Sequence, residues 1–251
     1  MLLHPTLETL AQLRLDGMLK ALQEQLDMPQ IQTLSVEERL GLLLDRELTT
    51  RENRRLKTRL KQAKLREPAA IEDLDYRTQR GLDKALMSRL ATGQWIGEHL
   101  NVILTGPTGV GKTWIACALA NKACRDGFTV RYLRLPRLLQ DLAMARAEGR
   151  YTKLLAELAR TELLVLDDWG LAPLTDEQRR DLLEILDDRF KTRATLVTSQ
   201  LPVALWHDYL GDPTLADAIL DRLVHCAYKI NLTGDSMRKH ASGLTDDPTL
   251  A

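Results

Sequence analysis

Apolar residues recur at three- and four-residue steps along residues 5–27, at Leu7, Leu10, Ala11, Met18, Leu19, Leu22 and Leu26, predicting an amphipathic helix closed by Pro29. A second helix is announced by Ser35 with Glu38 three residues on, a capping-box pair. Leu40, Leu43, Leu44, Leu48, Leu56 and Leu60 carry its apolar face toward Pro68, with a bend or break expected near Thr49 and Thr50, where helix propensity is weaker. Residues 1–68 therefore read as a small all-helical domain.

Beyond Pro68 the pattern changes. A polar connector at 71–81 and a short helix at 82–91 lead into a run of alternating elements. Strands are predicted at 101–105, 129–133, 163–166, 194–198 and 228–232 from short apolar runs. Helices are predicted at 114–125, 136–147, 152–160, 175–190 and from Pro213 to about 224 from their longer apolar period. Such alternation implies an α/β domain, residues 69–251, with a parallel sheet covered by helices on both faces.

The chain of 251 residues is long enough for one such domain and a small accessory one, and 44% hydrophobic with 28% charged residues is ordinary for a globular protein. No apolar run approaches the roughly 20 residues that span a bilayer, so a cytoplasmic protein without membrane contact is expected. The three cysteines, Cys117, Cys124 and Cys226, show no metal-type spacing and read as reduced core thiols. Net charge is zero, but it is segregated. Arg51, Arg54, Arg55, Lys57, Arg59, Lys61, Lys64 and Arg66 face one acid, Glu52, whereas acids crowd the segment from Glu157 to Asp188.

The candidate chemistry begins after the first predicted strand. Gly106, Pro107, Thr108, Gly109, Val110, Gly111, Lys112 and Thr113 fit the phosphate-cradling pattern G-x-x-x-x-G-K-[ST] at every fixed position. Glycines let successive N–H groups turn inward around an anion, and the following helix points its positive end at the phosphates. Lys112 is expected to reach the β- and γ-phosphates and Thr113 to help hold Mg²⁺, which makes ATP and Mg²⁺ the expected ligands. Leu163 to Asp168 reads as a strand ending in two acids at the same sheet edge, with Asp167 assigned to the Mg²⁺ shell and Asp168 to polarising the attacking water. Thr198, Ser199 and Gln200 end another buried strand at that edge and are candidates for contact with the γ-phosphate or its water.

With these motifs in order, followed by ILDRL and SMRK, the chain resembles the AAA+ ATPases of the initiator and helicase-loader clade, and most of all the IstB-type transposition helper proteins and their DnaC-like relatives. The resemblance implies a P-loop AAA+ fold, ATP hydrolysis, a homo-oligomer with ATP at subunit junctions, double-stranded DNA as ligand and an IstA-type transposase as partner. It also implies that Arg222 is an arginine finger reaching a neighbour's ATP, with Lys112 and Asp168 as the other catalytic groups, and that Arg238 is a sensor 2 phosphate contact. Two departures stand out. Asp168 occupies a position where glutamate is usual, which predicts slow turnover, and only about a dozen residues follow Arg238, so the C-terminal lid is reduced.

Like charges at helical spacing in the basic run, such as Arg51 with Arg55 and Lys57 with Lys61, repel by a few tenths of a kcal/mol each, a cost that an anionic partner removes. Arg51, Arg54, Arg55, Lys57, Arg59, Lys61 and Lys64 are therefore candidate DNA contacts, joined by Arg146, Arg150 and Lys153 between the second and third strands. No base-reading motif is present, which predicts binding through phosphates and shape, on DNA in the cytoplasm. A DnaC-like helicase loader is the alternative, and a small-molecule P-loop kinase a remote one.

Overall fold

A computed structural model describes residues 3–237. The chain divides into two compact units, Met1–Thr58 and Arg59–Ala251, with the division inside a helix rather than at Pro68.

The first unit is helical: α1 (Leu3–Gln12), α2 (Asp16–Leu26), a 3₁₀ turn at Pro29–Thr33 and the first part of α3 (Val36–Ala63). The single helix expected over 5–27 is two helices. Leu15 N–H bonds back to the Leu10 carbonyl at 2.9 Å across Arg14, whose φ of +55° is left-handed, and this closes α1. The break frees the start of α2 to meet α3. Glu47 Oε2 accepts from the N–H groups of Gly17 and Met18 at 2.7 and 3.1 Å, and a Cβ on Gly17 would lie 2.6 Å from the Glu47 Cα.

The break expected near Thr49 and Thr50 is absent, and α3 runs through both. Thr50 turns its hydroxyl onto the Arg46 carbonyl at 2.7 Å, so it is satisfied within the helix. The Ser35–Glu38 capping box forms as predicted, with bonds of 2.7 and 3.2 Å. The apolar face does not: Leu40, Leu44 and Leu48 are exposed, because α3 meets α2 through Glu47 instead of through that leucine stripe.

The second unit holds α4 (Lys84–Ala91), α5 (Gln94–Gly97), β1 (Asn101–Thr105), α6 (Lys112–Arg125), β2 (Val130–Arg134), α7 (Leu135–Ala147), α8 (Tyr151–Arg160), β3 (Leu163–Trp169), α9 (Asp176–Arg189), β4 (Ala194–Ser199), α10 (Trp206–Leu210), α11 (Pro213–Val224) and β5 (Ala227–Asn231). Every predicted strand and helix of this unit is present. The five strands are all parallel in the order β2-β3-β4-β1-β5. Leu164, Leu166, Ile103 and Val197 belong to one core cluster with α7, α8, α9, α10 and α11. Side chains alternate along a strand, so the opposite face, with Val165 and Leu196, lies under α6.

Two features hold the sheet's amino-terminal edge. Asn101 donates from its amide to the carbonyls of Arg222 and Leu223, each at 3.1 Å, and accepts from Thr195 N–H. Arg189, only 1% exposed, donates to the carbonyls of Leu158, Thr161 and Ala194 and to the Thr195 hydroxyl, joining α8, α9 and β4. Burial lowers its pKa to about 9. Among the described residues no helix is long and apolar enough to cross a membrane. Cys117 and Cys124 are buried, and burial pushes the Cys124 thiol up to about 11, which suits inert core thiols.

Candidate nucleotide site

The carboxyl ends of β1, β3 and β4 meet the start of α6 around a cavity of about 500 Å³. Thr108, Gly109, Gly111, Lys112, Thr113, Asp167, Asp168, Thr198, Ser199 and Gln200 line it. The two motifs and the end of β4 are thus brought together as the sequence predicts.

The loop after β1 shows why glycine is required. Gly106 and Gly109 have φ of +142° and +90°, and a Cβ would collide with the Leu232 carbonyl at the first and with Ser236 at the second. Lys112 donates to the carbonyls of Gly106 and Pro107, both at 2.7 Å, which holds its ammonium over the loop. Arg80, 5% exposed, fixes the loop from the connector by donating to the carbonyls of Val110 at 3.1 Å and Asp75 at 3.0 Å.

Asp167 is fully buried. Its carboxylate accepts from the Thr113 hydroxyl at 3.0 and 3.1 Å and from the hydroxyls of Tyr132 and Thr198. Burial, then the bond to Asp167, pushes the Tyr132 phenol well above its ordinary pKa, so it stays a neutral donor. A hydroxyl and a carboxylate converging on the wall of a polar cavity are the hard oxygen donors that suit Mg²⁺, so Thr113 and Asp167 fit the metal that the motif implies.

Asp168 owes its position to an irregularity. The register runs from Leu166 opposite Val197 to Trp169 opposite Ser199, so β3 carries one extra residue there, and Asp168 takes a left-handed φ of +64°. Aspartate tolerates that conformation better than most residues. The bulge overrides strict alternation and lets adjacent acids both line the cavity. Arg134, at the end of β2, holds the Asp168 carboxylate at 2.6 Å, and Thr198 Oγ1 accepts from the Asp168 N–H at 3.3 Å.

The polar residues at the end of β4 divide their work. Thr198 touches both acids, Gln200 accepts from the Thr108 hydroxyl at 2.9 Å, and the Ser199 hydroxyl is committed to backbone, donating to the Trp169 carbonyl at 2.8 Å and accepting from Leu201 N–H. Sequence reasoning missed Arg66, Asp73, Asp75, Arg80, Tyr132 and Arg134. Strand alternation with the parallel order offered a signal for Tyr132 and Arg134, since β2 ends beside β3. Nothing one-dimensional pointed to the others.

Arg222 lies elsewhere. It sits at the amino-terminal edge of the sheet, where its carbonyl meets Asn101. At ~3.3 Å per residue the loop after Thr105 is about 13 Å farther along β1. Its guanidinium pairs with Asp187 on α9 at 2.5 Å, not with Asp217 or Asp221. Arg238 lies outside the described residues.

The basic run is partly neutralised. Arg51 pairs with Glu47 at 2.6 Å, Arg54 with Asp16 at 2.5 Å, and Arg59 donates to the Cys124 carbonyl, whereas Arg55, Lys57, Lys61 and Lys64 are exposed without ion pairs among the described residues. In the second patch Arg146 pairs with Glu177 and Asp181 and stacks on Tyr151, and Arg150 pairs with Glu148. Of those three only Lys153 keeps a cation without an acid partner among the described residues, because acids of α9 and the α7–α8 turn converge on the arginines.

The model of the IstB-like ATP binding proteins matches residues 8–244. The chain belongs to this family. An insertion sequence ATP-binding protein of Sinorhizobium fredii, y4pL, is 54% identical over 240 residues, covering 96% of this chain and 98% of that one. The insertion sequence IS21 ATP-binding protein of Pseudomonas aeruginosa is 33% identical, over 94% of this chain and 89% of its own. In fold, the chain is similar to DnaI, with a TM-score of 0.57 at 22% identity over 66% of this chain and 92% of that one. The DnaC helicase loader aligns with a TM-score of 0.53 at 19% identity, over 65% and 96%. The relatives are thus named as ATP-binding proteins of insertion sequences, and the fold of this chain is like that of DnaC.

Proposed function

We propose that this protein is an ATP-hydrolysing, DNA-bound regulator that assembles on duplex DNA and serves an IstA-type transposase. The observation that carries the reading is the cavity where Lys112, Thr113, Asp167 and Asp168 meet while Arg222 stands about one strand length away on the opposite sheet edge. Those four residues hold and orient a triphosphate and its water. Arg222 cannot serve its own nucleotide from there, but it can serve one bound to a neighbouring copy.

The chain's residues divide the hydrolysis of ATP to ADP and phosphate among themselves. Loop N–H groups and Lys112 bind the β- and γ-phosphates and fix the γ-phosphorus. Asp168 accepts a hydrogen bond from the water that attacks it in line. Thr113 and Asp167 hold Mg²⁺, which when bound neutralises charge on the phosphate oxygens. A guanidinium from the next subunit, Arg222, offsets charge growing on the γ-phosphoryl oxygens, an effect worth about 10³ to 10⁵ in rate for arginine fingers. Its present partner is no obstacle: Asp187 is 59% exposed, and exposed pairs hold together by about 1 kcal/mol or less, which a triphosphate outcompetes.

Arg55, Lys57, Lys61 and Lys64 supply the sequence-independent attraction to DNA phosphates, with Lys153 as a further contact. Arg51, Arg54, Arg59, Arg146 and Arg150 join only by exchanging present partners. Relatives named for insertion sequences favour transposition over helicase loading, because the likeness to DnaC, at 19% identity, is one of fold alone. Sedimentation with duplex DNA tests the reading: ATP is expected to drive assembly that ADP does not, and equal assembly with ATP, with ADP and without nucleotide would contradict it.

A further inference from the structure

The last cation of the basic run does not belong with the others. Arg66 lies beyond the end of α3 and lines the nucleotide cavity, with its guanidinium 3.9 Å from Asp167 Oδ2. The Tyr132 hydroxyl and the charges of Asp167 and Asp168 hold its pKa above the ordinary value. The placement is built, not incidental. Lys64 turns the chain out of α3 with a left-handed φ of +51°, and the backbone N–H groups of Glu67 and Arg66 lie close enough to the buried Cys117 thiol on α6 to offset part of the rise that burial gives its pKa.

Asp167 needs such a neighbour. A carboxylate with no exposure carries a charge that three hydroxyls solvate but do not neutralise. Arg66 puts a cationic side chain within ion-pair reach of Asp167. Lys112, though near, is turned onto loop carbonyls. Mg²⁺ held by Thr113 and Asp167 supplies the same positive charge on the same carboxylate. Two cations do not share one carboxylate without repelling each other. Arg66 is also 42% exposed, so it can swing into solvent without leaving a buried charge behind.

We infer that Arg66 is the resident counter-ion of Asp167 and is exchanged for Mg²⁺ when the metal–nucleotide complex binds, so that this arginine sets how much Mg²⁺ the site requires. The inference rests on the proposed Mg²⁺–ATP reading of the cavity. It makes Arg66 a competitor of the metal, not a phosphate ligand, and the two roles move the metal requirement in opposite directions.

The test is the binding of a fluorescent ATP analogue to the full chain, titrated with Mg²⁺, for wild type, Arg66→Ala and Arg66→Gln. Removing a competing charge near 4 Å, screened at a half-exposed site, is expected to lower the half-saturating Mg²⁺ concentration by about tenfold in both variants. Arg66→Gln removes the charge but keeps a polar side chain, and carries the test if the alanine variant does not fold. An unchanged or raised Mg²⁺ requirement would overturn the inference. Wild-type binding that ignores Mg²⁺ would instead overturn the metal reading itself, and the inference with it.

Discussion

Arg134 and Asp168 form the one ion pair in the cavity that restrains the residue assigned to the attacking water. A carboxylate tied to a guanidinium at 2.6 Å is aimed at its partner, not at the nucleotide. Arg134 is half exposed, so the pair is breakable. Arg134→Ala is therefore expected to raise ATP turnover in the absence of DNA severalfold, measured as phosphate release. A fall in turnover would make Arg134 a positioning residue for Asp168. This pair also shows what a sequence conceals. Lys112, Thr113 and Asp167 were legible because their chemistry is written in contiguous motifs. Tyr132 and Arg134 arrive together on β2, and Arg80 and Arg66 from two other segments, so that they share with the motifs only a destination. The bulge that turns Asp168 inward was invisible as well, since nothing in LLVLDD says that one residue will slip against β4.

At the scale of elements, the parallel sheet and its helices followed from apolar period and length, because the central strands β1, β3 and β4 are buried almost throughout, as short apolar runs, and the helices carry longer periods. The helical unit followed less well. Residues 5–27 carry an unbroken helical period, yet the chain turns at Arg14 so that the amino end of α2 can deliver the N–H groups of Gly17 and Met18 to Glu47. A polar contact between helices leaves no hydrophobic signature. Its energetics are testable. Burial opposes the Glu47 charge, but bonds from Arg51, Met18 and Gly17 outweigh it and hold its pKa below 4.5. A carboxylate with a depressed folded pKa contributes stability that is present above 4.5 and lost as pH falls through the lower folded value. Hydrogen exchange in α2 should therefore speed up below that pH in wild type. Glu47→Gln should open α2 more easily at neutral pH by about 1–3 kcal/mol and lose the acid dependence. Equal protection in the two proteins would show that the contact does not hold the unit together.

At the scale of the whole molecule, the nucleotide loop and Arg222 lie at opposite ends of β1. That separation is what the proposed sharing of sites between copies rests on. On the proposed reading, one copy binds and orients the nucleotide through Lys112, Thr113, Asp167 and Asp168, and the next completes it with a guanidinium that an exposed carboxylate and the Ala218 carbonyl now hold. In the proposed function, ATP then reports that two copies have met, with DNA as the surface that brings them together. The sequence pointed to this arrangement only through its resemblance to a family, since no spacing rule connects residue 112 of one chain with residue 222 of another. The most direct measurement is phosphate release on duplex DNA from a mixture of Lys112→Ala and Arg222→Ala chains, each inactive alone. Sites shared between subunits predict that the mixture recovers activity, because the first variant lends its arginine to the intact pocket of the second. A mixture as inactive as its parts would contradict the account.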